Sequence, residues 1–341
     1  MNENRQMVLR RRPRGVVTDD CFALVSTPLR GPADGEVVVR NLWLGFEPAM
    51  RGWLNDVRSY VAPVALGEPM RAWGVGQVTA SANDRFPVGA LVHGMLNWQD
   101  FAVVGPDAAA LTLVPSDVDD PVHMLSVAGL TGLTAYFGMT VVGAPAVGDT
   151  VLVTAAAGAT GSVAGQIARI VGAGRVVGTA GSDAKRAWVR EVAGFDDCVD
   201  HHDPEVRRLL RGAAPDGYDV VFDNVGGALL DAALFNVALK GRIALCGSIS
   251  TGYRPERPEI GLHYYQLLTT RRARMEGFLV SDFEEQFPEA RSRLLRWVAD
   301  GEIRVEHDVL HGLEHAPDGI RRLFEGRNLG KQVLQLADPR D

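Results

Sequence analysis

Cysteine is scarce in this chain, and its three residues, Cys21, Cys198 and Cys246, are scattered and odd in number. This pattern indicates no disulfide framework and is typical of a reducing compartment. Histidine is absent before His93, and Cys21 is the only cysteine in the first third of the chain. Neither a Cys-rich zinc cluster nor a Cys/His/Glu catalytic zinc set can be assembled there, so we predict a site without a metal ion.

Three later histidines, His307, His311 and His315, recur every four residues, a spacing at which one helix could hold a metal ion. Gly312 and the strand-like run VEHDVL argue against a continuous helix in this segment. We therefore interpret these three histidines as surface residues.

Long apolar runs are also missing. No run approaches the length of a membrane span, and no apolar segment follows the basic N-terminal residues as a secretory signal requires. The net charge of −7 argues against a nucleic-acid or anionic-membrane surface. No G-x-S-x-G elbow for a serine nucleophile occurs. We expect a cytoplasmic protein with no nucleic-acid or membrane partner.

The sequence that is present divides into two parts, because 341 residues are too many for one ordinary core. Residues 1 to about 125 hold short apolar stretches between Gly and Pro signals, the pattern of a β-rich domain. Leu125 to Met139 reads as one helix that links the domains and lines the cleft between them.

From Asp149 onward, strands and helices alternate regularly, which indicates an α/β fold with a doubly wound parallel sheet. The predicted strands are 151–154, 175–180, 197–200, 219–223 and 242–246, and the predicted helices lie near 161–172, 183–193, 204–213 and 227–239.

The stretch that organises the chain begins at Asp149. Val151 to Thr154 form an apolar run that fits a strand buried on both faces, and Gly158 and Gly161 follow at once. Ser162 to Val171 then carry apolar residues at helical spacing. Such a glycine turn lets the backbone approach a pyrophosphate, whose charge is stabilised by the start of the helix, so a dinucleotide site is predicted.

The end of the second strand bears on which nicotinamide cofactor binds. An NAD site usually carries Asp or Glu there, whereas this strand ends at Gly181 and is followed by Ser182, Lys185 and Arg186. One interpretation is an ordinary helix start with Ser182 or Asp183 as cap. The interpretation we favour is a pocket for the 2′-phosphate of NADP, in which Lys185 supplies charge and Ser182 a hydroxyl group.

Two further small or polar turns follow strands of the same predicted sheet, at Phe222 to Gly227 and at Cys246 to Ser250. Ligands of such sheets bind beyond the carboxyl ends of the strands. Together with the first glycine turn, these segments predict one site at this edge.

With these motifs, the chain resembles the zinc-independent medium-chain dehydrogenase/reductase superfamily, and within it the prostaglandin reductase, leukotriene hydroxydehydrogenase and alkenal double-bond reductase group. The resemblance covers nearly the whole chain. It is carried by Pro48 with Met50-Arg51-Gly52, the run from Gly129 to Gly138, the AAGATG turn, Gly194-Phe195-Asp196, FDNVGG at 222–227, CGSIS at 246–250, and Gly326-x-Asn328-x-Gly330-Lys331.

The resemblance implies a GroES-like β-rich catalytic domain, residues 1–125 and 301–341, and a Rossmann NADP-binding domain, residues 126–300. It also implies NADP(H) as the cofactor, an enal or enone as the substrate, and a homodimer.

The resemblance further implies roles for individual residues. Gly158, Ala159, Thr160, Gly161 and Asn328 would hold the pyrophosphate side; Gly181, Ser182, Lys185 and His201 would surround the 2′-phosphate; Asn224, Cys246, Gly247, Ser248, Ile249, Ser250 and Phe278 would lie along the nicotinamide half. Tyr60, Trp98 and Tyr264 would line the substrate pocket.

The chain departs from the family pattern at several positions. The family usually has tyrosine at the position of His201, where a histidine could still donate a hydrogen bond, especially when protonated. Glycine stands at Gly252, where the family often has a tyrosine, so Tyr253 is the candidate catalytic residue after a shift of one position. Glu47 replaces the usual aspartate before Pro48.

These observations predict an NADPH-dependent reductase of activated C=C bonds. Hydride would go to the β-carbon of an α,β-unsaturated carbonyl compound, and the resulting enolate would need hydrogen-bond donors and a proton. The tailoring of a secondary metabolite is one setting for such a reaction. The alternatives are a quinone reductase and a non-redox NADPH-binding sensor or interaction protein.

Overall fold

The computed structural model describes residues 3–105, 111–116, 118–254 and 262–339. The chain divides into two compact units, one formed by residues 1–125, 252–255 and 307–341 and the other by residues 126–251 and 256–306. The identification of these units as a catalytic and a cofactor-binding domain stays a prediction.

The first unit is β-rich. Its elements are β1 (Glu3–Leu9), β2 (Phe22–Pro28), β3 (Val37–Gly45), α1 (Ala49–Trp53), β4 (Trp73–Ser81), β5 (Leu91–Met95), β6 (Phe101–Val104), β7 (Thr112–Leu113), β14 (His307–His311), α9 (Ala316–Phe324) and β15 (Lys331–Gln335). A sheet runs in the order β14-β15-β3-β4-β5-β7, β6 also pairs with β3, and β1 and β2 form a separate antiparallel pair. Strand β15 therefore joins the C-terminal part of the chain to the N-terminal strands.

The second unit contains the predicted parallel sheet. Its strands are β8 (Thr150–Val153), β9 (Arg175–Ala180), β10 (Asp197–Asp200), β11 (Tyr218–Asp223), β12 (Val237–Leu245) and β13 (Arg274–Gly277). Its helices are α2 (Leu130–Phe137), α3 (Ala159–Ile170), α4 (Asp183–Glu191), α5 (Val206–Ala213), α6 (Gly227–Phe235), α7 (Leu267–Arg271) and α8 (Phe287–Ala299).

All neighbouring strands of this sheet are parallel, in the order β10-β9-β8-β11-β12-β13. Val151, Leu152 and Val153 are fully buried, as the continuous apolar run of β8 predicts for a strand covered on both faces. The predicted fold class, a Rossmann-type parallel sheet with a separate β-rich sheet, is confirmed.

The segment predicted as one helix from Leu125 to Met139 is interrupted. A short 3-10 turn ends at Leu125, α2 begins after Gly129, and a π-helical turn occupies Gly138–Gly143. Gly129 has an extended backbone, which stops a helix from running through it. The helical spacing was therefore right only for the central turns.

The surface interpretation of the three late histidines is correct for His311 and His315 and wrong for His307. The side chain of His307 is only 16% exposed, and its ring lies 5.8 Å from that of His123 and 3.9 Å from an oxygen of Asp120. Burial lowers the pKa of His307 to about 4. His307 is the first residue of β14, which pairs with the buried strand β15. One face of such a strand is turned toward the core. The four-residue spacing of the histidines does not show which of them lies on that face.

Candidate active site

The turn after β8 is built from small residues for a steric reason. Gly158 is the extended N-cap of α3, and no side-chain hydrogen bond caps this helix. A Cβ atom at Gly161 would lie 2.3 Å from the carbonyl oxygen of Ala155, so the turn closes only around glycine. Ala155 itself has a φ of 51°. The start of α3 is thus a cradle of backbone amides, which suits a pyrophosphate.

The turn after β9 brings a group of charged and titratable side chains together. Ser182 is the N-cap of α4, and its hydroxyl accepts a hydrogen bond from the backbone of Lys185. Arg186 pairs with Asp200 at 2.9 Å and donates to the carbonyl oxygen of Ala180 at 3.3 Å. Capping by Ser182 is therefore confirmed, and Arg186 holds the end of β9.

The end of β10 completes this group with two imidazole rings. The centroids of His201 and His202 are 4.2 Å apart, and a Cβ atom at Gly181 would lie 2.6 Å from Nε2 of His202. Nδ1 of His201 is buried without a hydrogen-bond partner among the described residues. A buried ring nitrogen without a partner fits a position that receives a ligand.

The turns after β11 and β12 are locked to one another by Asp223. Its buried carboxylate accepts hydrogen bonds from Thr154 Oγ1 at 2.8 Å and from the amide of Gly226 at 2.8 Å. Its carbonyl oxygen accepts from the amides of Cys246 and Gly247 at 2.8 and 3.1 Å. Burial raises the pKa of Asp223, and its hydrogen bonds oppose that shift.

Asn224 extends the same network. Its side-chain amide donates to the carbonyl oxygen of Thr154 at 2.7 Å, and its backbone amide donates to Thr154 Oγ1 at 2.8 Å. Gly227 has a φ of 57°, and a Cβ atom there would lie 2.9 Å from Ser250 Oγ. The turns after β8, β11 and β12 are therefore one connected hydrogen-bonded edge.

Two further residues flank this edge. Phe278 packs against Phe222 with ring centroids 6.5 Å apart, and a Cβ atom at Gly138 would lie 2.4 Å from the Phe278 ring. Burial raises the pKa of the Cys246 thiol to about 12, so it is protonated at neutral pH. Neither observation tests a nicotinamide contact, which stays a prediction for Phe278, Cys246 and residues 247–250.

In the first unit, α1 explains the Met-Arg-Gly motif that follows Pro48. Arg51 is 2% exposed and donates two hydrogen bonds to the carbonyl oxygen of Gly15, at 3.1 and 2.9 Å. It also donates to Asn55 Oδ1 at 2.5 Å, and Asn55 Nδ2 donates to the carbonyl oxygen of Tyr253 at 2.7 Å. Arg51 thus anchors a relay that ends at the candidate catalytic tyrosine.

Tyr253 and Tyr60 both lie beside α1. Tyr253 has a φ of 48°, and its ring packs edge-on against Phe324 at 6.3 Å. The indole Nε1 of Trp53 donates to the hydroxyl of Tyr60 at 3.3 Å, and Tyr60 is 61% exposed. The structure therefore brings these two predicted tyrosines to the same short helix.

The other predicted residues lie elsewhere. Trp98 is fully buried in the core of the first unit, with its ring 5.1 Å from Phe22 and 5.7 Å from Phe46. Tyr264 belongs to the second unit, where its hydroxyl bonds to Arg207. Asn328 is buried and donates to the carbonyl oxygen of Gly330 at 2.9 Å. Roles for these three residues in a pocket or at a pyrophosphate stay predictions.

Sequence reasoning missed a buried ion pair. Lys331 Nζ lies 2.8 Å from Glu47 Oε1 and 3.0 Å from the carbonyl oxygen of Phe46, with the lysine side chain only 2% exposed. This pair ties the motif that begins at Pro48 to the one that contains Asn328. Lys331 lies in a segment that carries the family resemblance and Glu47 directly precedes another, but nothing in the sequence indicates that the two residues pair.

Within the described residues, no group of three or more His, Cys, Asp or Glu side chains is arranged to hold a metal ion. The described helices include none that is long and apolar enough to cross a membrane.

Comparison with known proteins identifies the family to which the chain is similar. Residues 5–114 match the family described as the N-terminal domain of oxidoreductase, and residues 159–296 match the family described as zinc-binding dehydrogenase. The chain is 38% identical over 336 residues to a putative NADP-dependent oxidoreductase, YfmJ, of Bacillus subtilis (strain 168), with 98% of each chain covered. It is 37% identical to an NADP(+)-dependent 2-alkenal reductase of Nicotiana tabacum, again with 98% of each covered.

A solved structure agrees with this similarity. The crystal structure of CurA from Vibrio vulnificus in complex with NADPH matches with a TM-score of 0.92 at 36% identity, covering 98% of this chain and 100% of that chain. The glycine cradle at α3 and the cations after β9 fit the phosphates of this cofactor. The chain belongs to the zinc-independent medium-chain dehydrogenase/reductase superfamily, in its prostaglandin reductase and alkenal reductase group, and is an NADP(H)-dependent oxidoreductase.

Proposed function

We propose that this protein reduces activated C=C bonds of α,β-unsaturated aldehydes or ketones with NADPH, as a cytoplasmic homodimer. The observation that carries the proposal is the similarity, over 98% of both chains, to a 2-alkenal reductase. The hydrogen-bonded turns after β8, β11 and β12 support it, because dinucleotides bind at this edge of such sheets.

The cofactor half of the site is assigned along that edge. Gly158 to Gly161 hold the pyrophosphate, and Gly181, Ser182, Lys185 and His201 surround the 2′-phosphate. Asn224 and Phe278 bound the nicotinamide half together with Cys246, Gly247, Ser248, Ile249 and Ser250. When bound, NADPH supplies the hydride that is transferred to the β-carbon of the substrate.

The protein must then stabilise negative charge on the substrate oxygen and deliver a proton. We assign Tyr253 as the hydrogen-bond donor to that oxygen. Its phenol group can donate a proton to the substrate and can then be reprotonated by water. The relay from Arg51 through Asn55 restrains the backbone of Tyr253, which keeps the ring in one place. Tyr60, which lies beside α1, is the substrate-pocket residue of the first unit in this proposal.

The test is NADPH oxidation by the purified protein with 2-alkenals, enones, quinones and saturated aldehydes, with identification of each product. We expect saturated aldehydes or ketones from the first two classes and no turnover of the saturated controls. Turnover of quinones alone would identify a quinone reductase, and tight NADPH binding without turnover of any acceptor would indicate a sensor.

The assigned role of Tyr253 is tested separately by Tyr253→Phe. We expect kcat to fall about 100-fold, the usual scale for a lost acid–base group, while the Kd of NADPH stays unchanged. Tyr265→Phe is the matched control, since Tyr265 is 64% exposed and has no assigned role. An unchanged kcat in Tyr253→Phe would remove Tyr253 from the mechanism without touching the reaction class.

A further inference from the structure

The imidazole pair after β10 has an unusual setting. A Cβ atom at Gly181 would lie 3.0 Å from Cε1 of His201 and 2.6 Å from Nε2 of His202, so both rings cover the backbone at the end of β9. The rings are tilted by 49° with centroids 4.2 Å apart. His202 is exposed, whereas His201 is half-buried and its Nδ1 has no hydrogen-bond partner among the described residues.

The charged groups around His201 balance one another. Helix α4 contributes Lys185 and Arg186, and the turn of His201 itself contributes Asp200 and His202. Arg186 pairs with both Asp200 and Asp183. The two cations, Lys185 and Arg186, and the two carboxylates, Asp183 and Asp200, therefore have a net charge of zero while both imidazoles are neutral. A phosphate monoester would add a charge of about −1.5 to −2 to this neutral group, so one further cation is needed.

We propose that His201 supplies this cation: it binds a proton together with the 2′-phosphate, so that the preference for NADPH over NADH strengthens as the pH falls. The inference rests on the proposed assignment of this edge as the 2′-phosphate subsite. It deepens that assignment, because the tyrosine usual in the family donates a hydrogen bond without titrating in this pH range.

The direction of the effect follows from the electrostatics. In the free protein the pKa of His201 is lowered, chiefly by burial and then by His202, with Lys185 and Arg186 adding to the shift and Asp200 opposing it. A phosphate dianion beside the ring favours the charged imidazolium and raises that pKa. Between the two pKa values, binding takes up a proton, and the Kd of NADPH decreases as the pH decreases. NADH has no 2′-phosphate and is unaffected.

The experiment is calorimetric titration of the intact protein with NADPH, NADH and 2′,5′-ADP across the pH range, in pairs of buffers of different ionisation enthalpy. We expect net proton uptake with NADPH and 2′,5′-ADP and none with NADH. The Kd of NADPH should rise about tenfold between about pH 6 and about pH 8, since one linked proton changes Kd by at most one decade per pH unit.

Three variants isolate His201. In His201→Gln the proton uptake should be lost, leaving only the weak dependence of the phosphate's own ionisation near about pH 6. In His201→Tyr, NADPH should bind tightly with the same weak dependence. In His202→Gln the steep dependence should persist with its midpoint moved to higher pH, because a neighbour that lowers the pKa of His201 is removed. Thermal unfolding checks that each variant is folded.

The outcomes are distinguishable. Selective NADPH binding with no pH dependence, or a steep dependence that survives in His201→Gln, would overturn the role of His201 and leave the subsite in place. Equal affinities for NADPH and NADH at every pH, with no binding of 2′,5′-ADP, would overturn the subsite and the role of His201 together.

Discussion

The carboxyl edge of the parallel sheet and the surroundings of α1 are both functional regions in our proposal, yet they are held together differently. At the sheet edge, backbone groups, Asp223 and Thr154 make most of the contacts, and glycines leave room for them. Around α1, long side chains such as Arg51 and Asn55 connect segments that are far apart in sequence. The first region is held by closely packed backbone, whereas the second depends on individual side chains.

The largest expected effect is at the crowded backbone. Gly161→Ala places a Cβ atom 2.3 Å from a carbonyl oxygen, so the turn after β8 must open. We expect a loss of about 3 kcal/mol in the free energy of unfolding, the scale of severe overpacking, and loss of measurable NADPH binding. Gly212→Ala in α5 is the control, because among the described residues nothing outside its own helix backbone and chain neighbours lies within 4 Å of the added carbon. Denaturant unfolding measures the stability of the two variants, and NADPH titration measures their cofactor binding. Equal results for Gly161→Ala and Gly212→Ala would contradict the expected effect of crowding at Gly161.

The next effect concerns the pH dependence of stability in the first unit. The pKa of His307 is about 4 in the folded protein and about 6.5 in the unfolded chain, so the unfolded chain binds the proton first. Stability is thus fully present above about pH 6.5 and falls toward pH 4, by about 2 to 3 kcal/mol from this residue.

Urea unfolding at several pH values checks this expectation. The profile of His307→Asn should be flatter than that of the wild type in this interval. The exposed His315, changed to Asn, serves as the control and should leave the profile unchanged. Parallel profiles for wild type and His307→Asn would show that the buried ring does not titrate as stated.

Lys185→Ala tests one side chain at the carboxyl edge of the parallel sheet, where most contacts are made by backbone groups. Removal of a charge beside the proposed 2′-phosphate should raise the Kd of NADPH about tenfold, the scale of one charge-assisted hydrogen bond, while the Kd of NADH stays unchanged. Arg190→Ala, an exposed cation on the same helix, is the matched control. Equal affinities for NADPH before and after the change would defeat the assignment of Lys185.

The smallest effect is expected at Asn55. Asn55→Ala removes the hydrogen bond to the carbonyl oxygen of Tyr253 and the one accepted from Arg51, and should cost about 1 kcal/mol of stability and lower kcat about fivefold. Asn83→Ala also removes two side-chain hydrogen bonds, one of 3.0 Å to the carbonyl oxygen of Gly35 and one of 3.0 Å from the amide of Arg85, and should show the stability loss with no kinetic change. If both variants kept full kcat, the relay to Tyr253 would be structural only.

These two regions also differ in how much of them the sequence predicts. The centre of the parallel sheet was predictable because β8, β9 and β11 are local apolar runs that end in turns of small or polar residues. Strands β9 and β10 have the predicted boundaries, residues 175–180 and 197–200. The position of Ser182 as a cap follows from the same local chemistry.

The contacts of α1 were not predictable, because they depend on long-range approach. Nothing near Arg51 in sequence indicates that its guanidinium group binds the carbonyl oxygen of Gly15. The burial of His307 likewise depends on His123, which comes from a distant segment. The pocket role of Trp98 comes from the family resemblance, and its packing against Phe22 and Phe46 could not be seen from the sequence.

The buried pair of Lys331 and Glu47 has a consequence for chemical labelling. The chain has only three lysines, and the amine of Lys331 is both paired and almost without contact to solvent. An amine-reactive reagent applied to the folded protein should therefore modify Lys240, which is exposed, and Lys185, while sparing Lys331. Protection of Lys185 by NADPH, with Lys240 as the internal reference, would make mass spectrometry of two peptides a direct footprint of the bound nucleotide.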